Sequence, residues 1–236
     1  MSSYLAEFLG TTLLVLIGDG VCANNTLEKT KSHNGGPVMI LLGWCLAVGV
    51  PAGLFGDVSG GHFNPVFTIG LAIAGLFPWN HVLGYIIAQM AGGFLGAVMV
   101  WFFYYNHFQN SPSVSAEDKL AIFTTTPAIR NYFFNTFSEL LATMVLIFSL
   151  FGLSSKTPVA GVSTFNVAAG ILMVGTGLGG TTGFSLNPAR DFSPRLAHAI
   201  LPIQGKGSSD WAYSWVPIVG PLIGATIGAF LYKAVF

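Results

Sequence analysis

Charge is what this sequence has least of. Only 8% of its 236 residues are Asp, Glu, Lys or Arg, against about 25% in a soluble globular domain. A chain so poor in charge is not built to face water on every side. Its nine basic and nine acidic residues cancel, which excludes a basic nucleic-acid surface and an acidic tail. Cysteine is almost absent: Cys22 and Cys45 both sit in apolar runs. They read as small core residues, not as a disulfide framework or a thiolate metal site. No set of nucleophile, base and orienting group stands out, and no cluster of metal ligands does. Enzymatic activity, a cofactor and a metal are therefore not expected. The first apolar run has no basic leader and contains Glu7 and Asp19, so it reads as a retained span and not as a cleaved signal.

What the chain has instead is apolar length. Hydrophobic residues make up 53% of it, and its 30 glycines recur inside the apolar runs, as expected where helices pack closely in lipid. A bilayer-spanning helix needs about 20 mostly apolar residues. Six runs meet that standard: Tyr4–Ala23, Gly36–Phe55, Val82–Tyr104, Phe134–Leu153, Val159–Gly179 and Trp211–Val235. Two shorter stretches, Pro65–Phe77 and Pro188–Leu201, cannot span and suggest re-entrant helices. Each starts with proline, which is favourable at the first helical position because its missing N–H would have been unpaired there. The expected fold is an all-α membrane protein of six transmembrane helices and two re-entrant half-helices. Charge does not orient it, because Lys29 and Lys31 stand beside Glu28 and the other short loops hold few basic residues.

The order is span, span, short helix, span, and then the same again. Residue types repeat with it. Ala6-Glu7-Phe8-Leu9-Gly10-Thr11 opens one half and Ser138-Glu139-Leu140-Leu141-Ala142-Thr143 the other. His62-Phe63-Asn64-Pro65 and Ser185-Leu186-Asn187-Pro188 precede the two short helices. Glu7 and Glu139 lie 132 positions apart, Asn64 and Asn187 123 apart, so the halves run nearly in step. Three full spans per half put the halves in opposite orientations. Inverted repeats place a functional site near the bilayer midplane, at their interface. One channel domain covers residues 1–236, with repeats of about 4–105 and 134–235. The linker, 106–133, is polar from Asn106 to Arg130, carries Glu117, Asp118 and Lys119, and reads as an exposed loop.

Two glycine-, serine- and threonine-rich segments, Gly56–Phe63 and Gly179–Leu186, fall at membrane depth. Irregular backbone is tolerated there only if it is buried in protein or lines a wet cavity. The carbonyls of Gly60, Gly61 and His62, and of Gly183, Phe184 and Ser185, can form a ladder of acceptors facing a pore. Two helix N-termini, each carrying roughly +0.5 of an elementary charge, would meet at Asn64 and Asn187. Cations are repelled there, while a neutral hydroxyl can still accept a bond from an amide. Glu7 and Glu139 fit acceptors for the loop N–H groups that have no helix or strand to satisfy them; a proton relay is the other reading. His62 reads as a brace beside the first short helix. Gly92, Gly93 and Gly96, like Gly220, Gly224 and Gly228, mark helix contacts. Arg190 is the one basic residue expected near the membrane core, and a charge there is a functional hypothesis by default.

Ser59-Gly60-Gly61-His62-Phe63-Asn64-Pro65 and Gly183-Phe184-Ser185-Leu186-Asn187-Pro188-Ala189-Arg190 resemble the paired signature loops of the major intrinsic proteins, or aquaporins. The resemblance runs from Glu7 to the last span. Val66 departs from it, standing where alanine is usual, and so, mildly, does Ile218, where leucine is usual. The resemblance implies a selectivity filter at Trp44, Gly175, Phe184 and Arg190, which lie 20 before Asn64, then 12 before, three before and three after Asn187. These four types are similar to the glycerol-facilitator filter. Water-selective members place a histidine near Gly175. Asp191, with a basic residue four further on at Arg195, and Pro217 also fit the glycerol branch; an acid–base pair there would brace the loop and widen the mouth. The branch implies a channel for glycerol, water and possible relatives such as dihydroxyacetone, urea and lactic acid. It also implies a homotetramer in lipid, in a bacterial plasma membrane, and the exclusion of ions and protons. A water-selective pore, an ion-coupled secondary transporter and a structural junction protein are the alternatives.

Overall fold

The computed structural model describes residues 1–156 and 164–236. They form ten helices and, among the described residues, no strand. In chain order these are α1 (Ser3–Thr26), α2 (Pro37–Ser59), α3 (Pro65–Ala74), α4 (Trp79–Phe103), α5 (Tyr105–Gln109), α6 (Ala116–Phe123), α7 (Tyr132–Lys156), α8 (Thr164–Leu178), α9 (Pro188–Ile200) and α10 (Val216–Val235). Five of them, α1, α2, α4, α7 and the whole of α10, are long and apolar enough to cross a bilayer. The sixth expected span is described from Thr164 onward as the 15-residue α8; residues 159–163 lie outside the described part.

Local chemistry sets the helix ends. The Ser2 hydroxyl accepts from the N–H of Leu5 and caps α1. Proline opens α2, α3 and α9. α2 stops where Gly60 turns left-handed, with a φ of 88°, a conformation that glycine adopts at no steric cost. The first irregular segment is shorter than the sequence suggested, because Gly56 to Ser59 remain helical. The N–H of Gly60 still reaches the carbonyl of Gly56 at 2.8 Å, so the chain leaves the helix only at Gly60.

The helix contacts repeat with the halves exchanged. α1 packs on α4 as α7 packs on α10, and α4 packs on α9 as α10 packs on α3. α2 and α8 meet each other across the centre. The closest approaches are at glycine: a Cβ on Gly96 would sit 2.7 Å from the Thr12 carbonyl, and one on Gly224 would overlap the Leu140 carbonyl. Small residues of this kind let apolar helices associate in lipid, where burial of greasy surface gives no driving force.

Burial is inverted relative to a soluble protein. Large apolar side chains such as Phe102, Phe103, Leu83 and Phe165 face outward, while Glu7, Asp19, Gln89, Glu139, Asp191 and Arg195 are 0–1% exposed. Arg190 is therefore not the only buried base in α9. The linker also departs from the exposed loop expected of it. Phe108 and Phe123 stack with ring centroids 5.9 Å apart, and both are buried along with Ile122 and Thr125. Polar residues face outward on only one side of the linker, because α6 presents an apolar side to α1 and α9.

Candidate functional site

The two irregular segments adopt the same backbone path. Four residues before each Asn-Pro stands a left-handed glycine, Gly60 at φ 88° and Gly183 at 82°. Three before stand Gly61 at 65° and Phe184 at 43°; one before stand Phe63 at 48° and Leu186 at 57°. A non-glycine residue held in such a region costs on the order of 1–3 kcal/mol, and persists only where its surroundings over-determine it.

Glu7 and Glu139 supply that determination. One Glu7 oxygen accepts from the Ser59 hydroxyl at 2.6 Å and the His62 N–H at 3.0 Å; the other accepts from the Phe63 N–H at 2.7 Å and the Gln89 amide at 2.8 Å. Glu139 accepts from the Thr182 hydroxyl at 2.6 Å, and from the Ser185 and Leu186 N–H groups, each at 3.0 Å. Each acid ties an α-helix to the N–H groups flanking the strained residues. His62 is held in turn: its ring meets the Thr68 hydroxyl at 3.1 Å and lies against Phe67, Phe77 and Tyr85.

Asn64 and Asn187 cross-link the halves. The side-chain oxygen of each caps its own short helix, accepting from Val66 N–H at 3.0 Å and Ala189 N–H at 2.9 Å. The amide nitrogen of Asn64 donates to the Leu186 carbonyl at 2.9 Å, and that of Asn187 to the Phe63 carbonyl at 2.8 Å. An amide NH₂ carries two donors, so each asparagine keeps a second N–H. Both side chains line one internal cavity, which is walled by Leu14, Val48, Leu146, Val167 and Ile171 on its apolar side. It offers about 60 Å³ of room for the centres of water-sized molecules, where one water takes roughly 10–15 Å³. That is a narrow column for a few small molecules.

Trp44, Phe184 and Arg190 border the same cavity. The Arg190 guanidinium lies over the Trp44 ring, 3.9 Å from its centroid, and donates to the Phe123 carbonyl at 3.5 Å. Gly175 is not itself a wall. A side chain there would overlap Leu41 and stand 3.3 Å from the Phe184 ring. Of the six ladder residues, Gly61, His62, Phe184 and Ser185 border the cavity, and their carbonyls accept no hydrogen bond within the described residues. Gly60 and Gly183 lie off it and shape the turns.

Asp191 holds loops from within a helix and not from within the irregular segment itself. It is inside α9, where its carboxylate pairs with Arg195 at 2.9 Å and accepts from the Thr125 N–H at 2.8 Å and hydroxyl at 2.7 Å. Arg195 continues to the Ser209 and Asp210 carbonyls at 2.8 and 3.1 Å. The pair thus clamps the linker and the α9–α10 loop to the second half-helix. The sequence reading did not place Phe123, Thr125 or Asp19 at the site. Asp19 is fully buried, with its Oδ1 3.7 Å from Arg190 Nη1. A lone acid in the middle of an apolar run was the available signal.

Among the described residues, five helices long and apolar enough to span, two opposed half-helices and a cavity strung between their N-termini define a multi-pass membrane protein of two inverted repeats with a narrow central passage. The family model described as "Major intrinsic protein" matches residues 1–232. The "Probable glycerol uptake facilitator protein" of Thermotoga maritima is 50% identical over all of both chains. "Glycerol uptake facilitator protein 3" of Lactiplantibacillus plantarum is 50% identical over 97% of this chain and 95% of that one. The X-ray structure of the aquaglyceroporin from Plasmodium falciparum superposes with a TM-score of 0.84 at 28% identity, over 99% of this chain and 95% of that one. The chain belongs to the major intrinsic protein family.

Proposed function

We propose that the protein is a passive channel of a bacterial plasma membrane, carrying glycerol and similar small neutral solutes together with water and excluding ions and protons. The observation that supports this most strongly is the pairing of Arg190 with Trp44 on the cavity wall, which Phe184 also lines. A polyol is two-faced, with carbon on one side and hydroxyls on the other. Trp44 and Phe184 offer the apolar wall, and the guanidinium fork, one N–H of which goes to Phe123, offers up to four more donors. Free carbonyls of Gly61, His62, Phe184 and Ser185 accept hydroxyl protons in sequence, so the solute exchanges partners and is never trapped. At the midpoint the spare N–H groups of Asn64 and Asn187 donate to a hydroxyl oxygen, and the two helix N-termini oppose a cation. Gly175 keeps a side chain out of the filter.

Each repeat acts as one unit, residues 4–105 and 134–235, joined by 106–133. Assembly into a homotetramer with one pore per subunit rests on the family resemblance. The solute range extends by the same chemistry to dihydroxyacetone, urea and protonated lactic acid, all small, neutral and able both to donate and to accept. Stopped-flow light scattering on proteoliposomes tests this reading. Glycerol flux should rise in proportion to its gradient and ignore sodium and proton gradients. Saturation with ion coupling would make the protein a secondary transporter, and water flux without glycerol flux would make it a water channel.

A further inference from the structure

The filter arginine has a counter-ion that does not touch the pore. Asp19 sits in α1, 12 residues after Glu7. It is 0% exposed, and neither of its oxygens has a hydrogen-bond partner among the described residues. Among the described residues, the one opposite charge in reach is Arg190, at 3.7 Å. Asp191, the next acid to that guanidinium in sequence, is already engaged by Arg195 and Thr125. A buried carboxylate with no hydrogen bonds is costly unless it is paired, so its place here needs the arginine. Asp19 is absent from the cavity wall, so whatever it does to a solute it does through Arg190.

The internal symmetry of the molecule supplies an independent observation. Arg190 lies three residues after Asn187, and Phe67 lies three after Asn64. Asp19 lies 12 after Glu7, and Phe151 lies 12 after Glu139. Phe67 and Phe151 pack edge to face with centroids 5.4 Å apart. The same contact thus occurs twice, as an aromatic pair in one repeat position and as an ion pair in the other. Gly18 completes the second arrangement, because any Cβ there would overlap the Trp44 indole. Gly18 and Asp19 together seat both the ring and the charge of the filter.

We propose that Asp19 is a positioning and specificity-determining residue. It neutralises Arg190 from behind, so that the constriction holds its donors in place for a neutral solute without becoming a binding site for small anions. With Asp19 gone, an uncompensated guanidinium faces the cavity and captures a small carboxylate. The inference rests on the channel reading only for the solute, because anion capture can be measured without it.

The experiment compares wild type, Asp19→Asn and the double variant Asp19→Asn with Arg190→Gln in proteoliposomes at neutral pH, with and without sodium formate. Wild-type glycerol flux should ignore formate. In D19N formate should depress it by about tenfold or more, since the unpaired charge is no longer compensated. The double variant, neutral again, should lose that sensitivity. Water flux through each variant reports that the pore is folded. If D19N does not fold, the double variant should regain folding, because both charges have left; a double variant as unstable as the single one contradicts the pairing. A folded D19N whose flux is indifferent to formate overturns the proposal. If wild type passes no glycerol the channel reading fails, and formate block of water flux in D19N alone still decides the role of Asp19.

Discussion

The two halves of this molecule agree on how the pore is held and disagree on what lines its ends. Left-handed residues fall at the same three places before each Asn-Pro, and a buried glutamate satisfies the adjoining N–H groups in each half. The side chains on that shared frame diverge. Where the first half has Gly61, Val66 and Phe67, the second has Phe184, Ala189 and Arg190. Under the proposed function this is a division of labour: what recurs holds irregular backbone at membrane depth, and what differs would choose the solute. Phe184 makes the point most sharply, since its position in the first half is a glycine, to which a positive φ costs nothing. The second half accepts strain there in exchange for a ring on the cavity wall.

Breaking the difference should have the largest effect. Replacing Arg190 with alanine removes the charge that has no counterpart in the first half. Proton or small-cation leak through proteoliposomes should rise by roughly tenfold or more, with neutral solutes still passing. Ion exclusion equal to wild type in the folded variant would remove the filter role from Arg190.

The shared frame predicts stability losses of similar size in both halves. Glu139→Gln puts an amide among three donors, so at least one is left poorly paired, at a cost of about 1–3 kcal/mol. Glu7→Gln does the same among the Ser59 hydroxyl, the His62 and Phe63 N–H groups and the Gln89 amide. A flip of Gln89 would not repair it, because the loop N–H stays unpaired and the Gln89 bond to Thr68 is given up. Thermal unfolding in detergent should therefore show comparable losses for Glu7→Gln and Glu139→Gln, both with an unchanged solute profile. A loss confined to a pH-dependent part of transport would instead favour a proton relay.

Two smaller changes sharpen the comparison by making the halves more alike. Phe184→Gly relieves about 1–3 kcal/mol of backbone strain and removes the ring, so fluxes of polyols of different size should converge; flux ratios in a swelling series measure this. Val66→Ala gives the first half the alanine of the second. It opens a small cavity at a cost of about 1–2 kcal/mol, visible as a lower melting temperature, and should leave selectivity unchanged.

Much of this was legible in the sequence, for a physical reason. Apolar length marks spans, and a repeated Asn-Pro after a glycine-rich segment marks a helix start in irregular backbone. Glu7 and Glu139 stand out because each is an acid at lipid depth and the two occupy equivalent positions in the repeat. What escaped depends on contacts between distant segments. The end of α2 at Ser59 needed Gly60 to turn left-handed, and nothing in the composition of Gly56–Phe63 says at which glycine that happens. The burial of the linker needed the apolar side of α6, hidden among Glu117, Asp118 and Lys119. Thr125 became a ligand of Asp191, and Asp19 a partner of Arg190, only once the helices were packed.

The claim that side chains differing between the halves select the solute is tested most directly at Gly175. A histidine there must push past Leu41 toward Phe184, filling the filter with a polar ring while leaving the glutamate anchors untouched. Stopped-flow measurement of glycerol and water permeability in the folded Gly175→His variant should show glycerol flux falling by about tenfold more than water flux, equivalent to about 1.4 kcal/mol of added barrier. A glycerol-to-water ratio equal to that of wild type would place the constriction elsewhere and contradict the account.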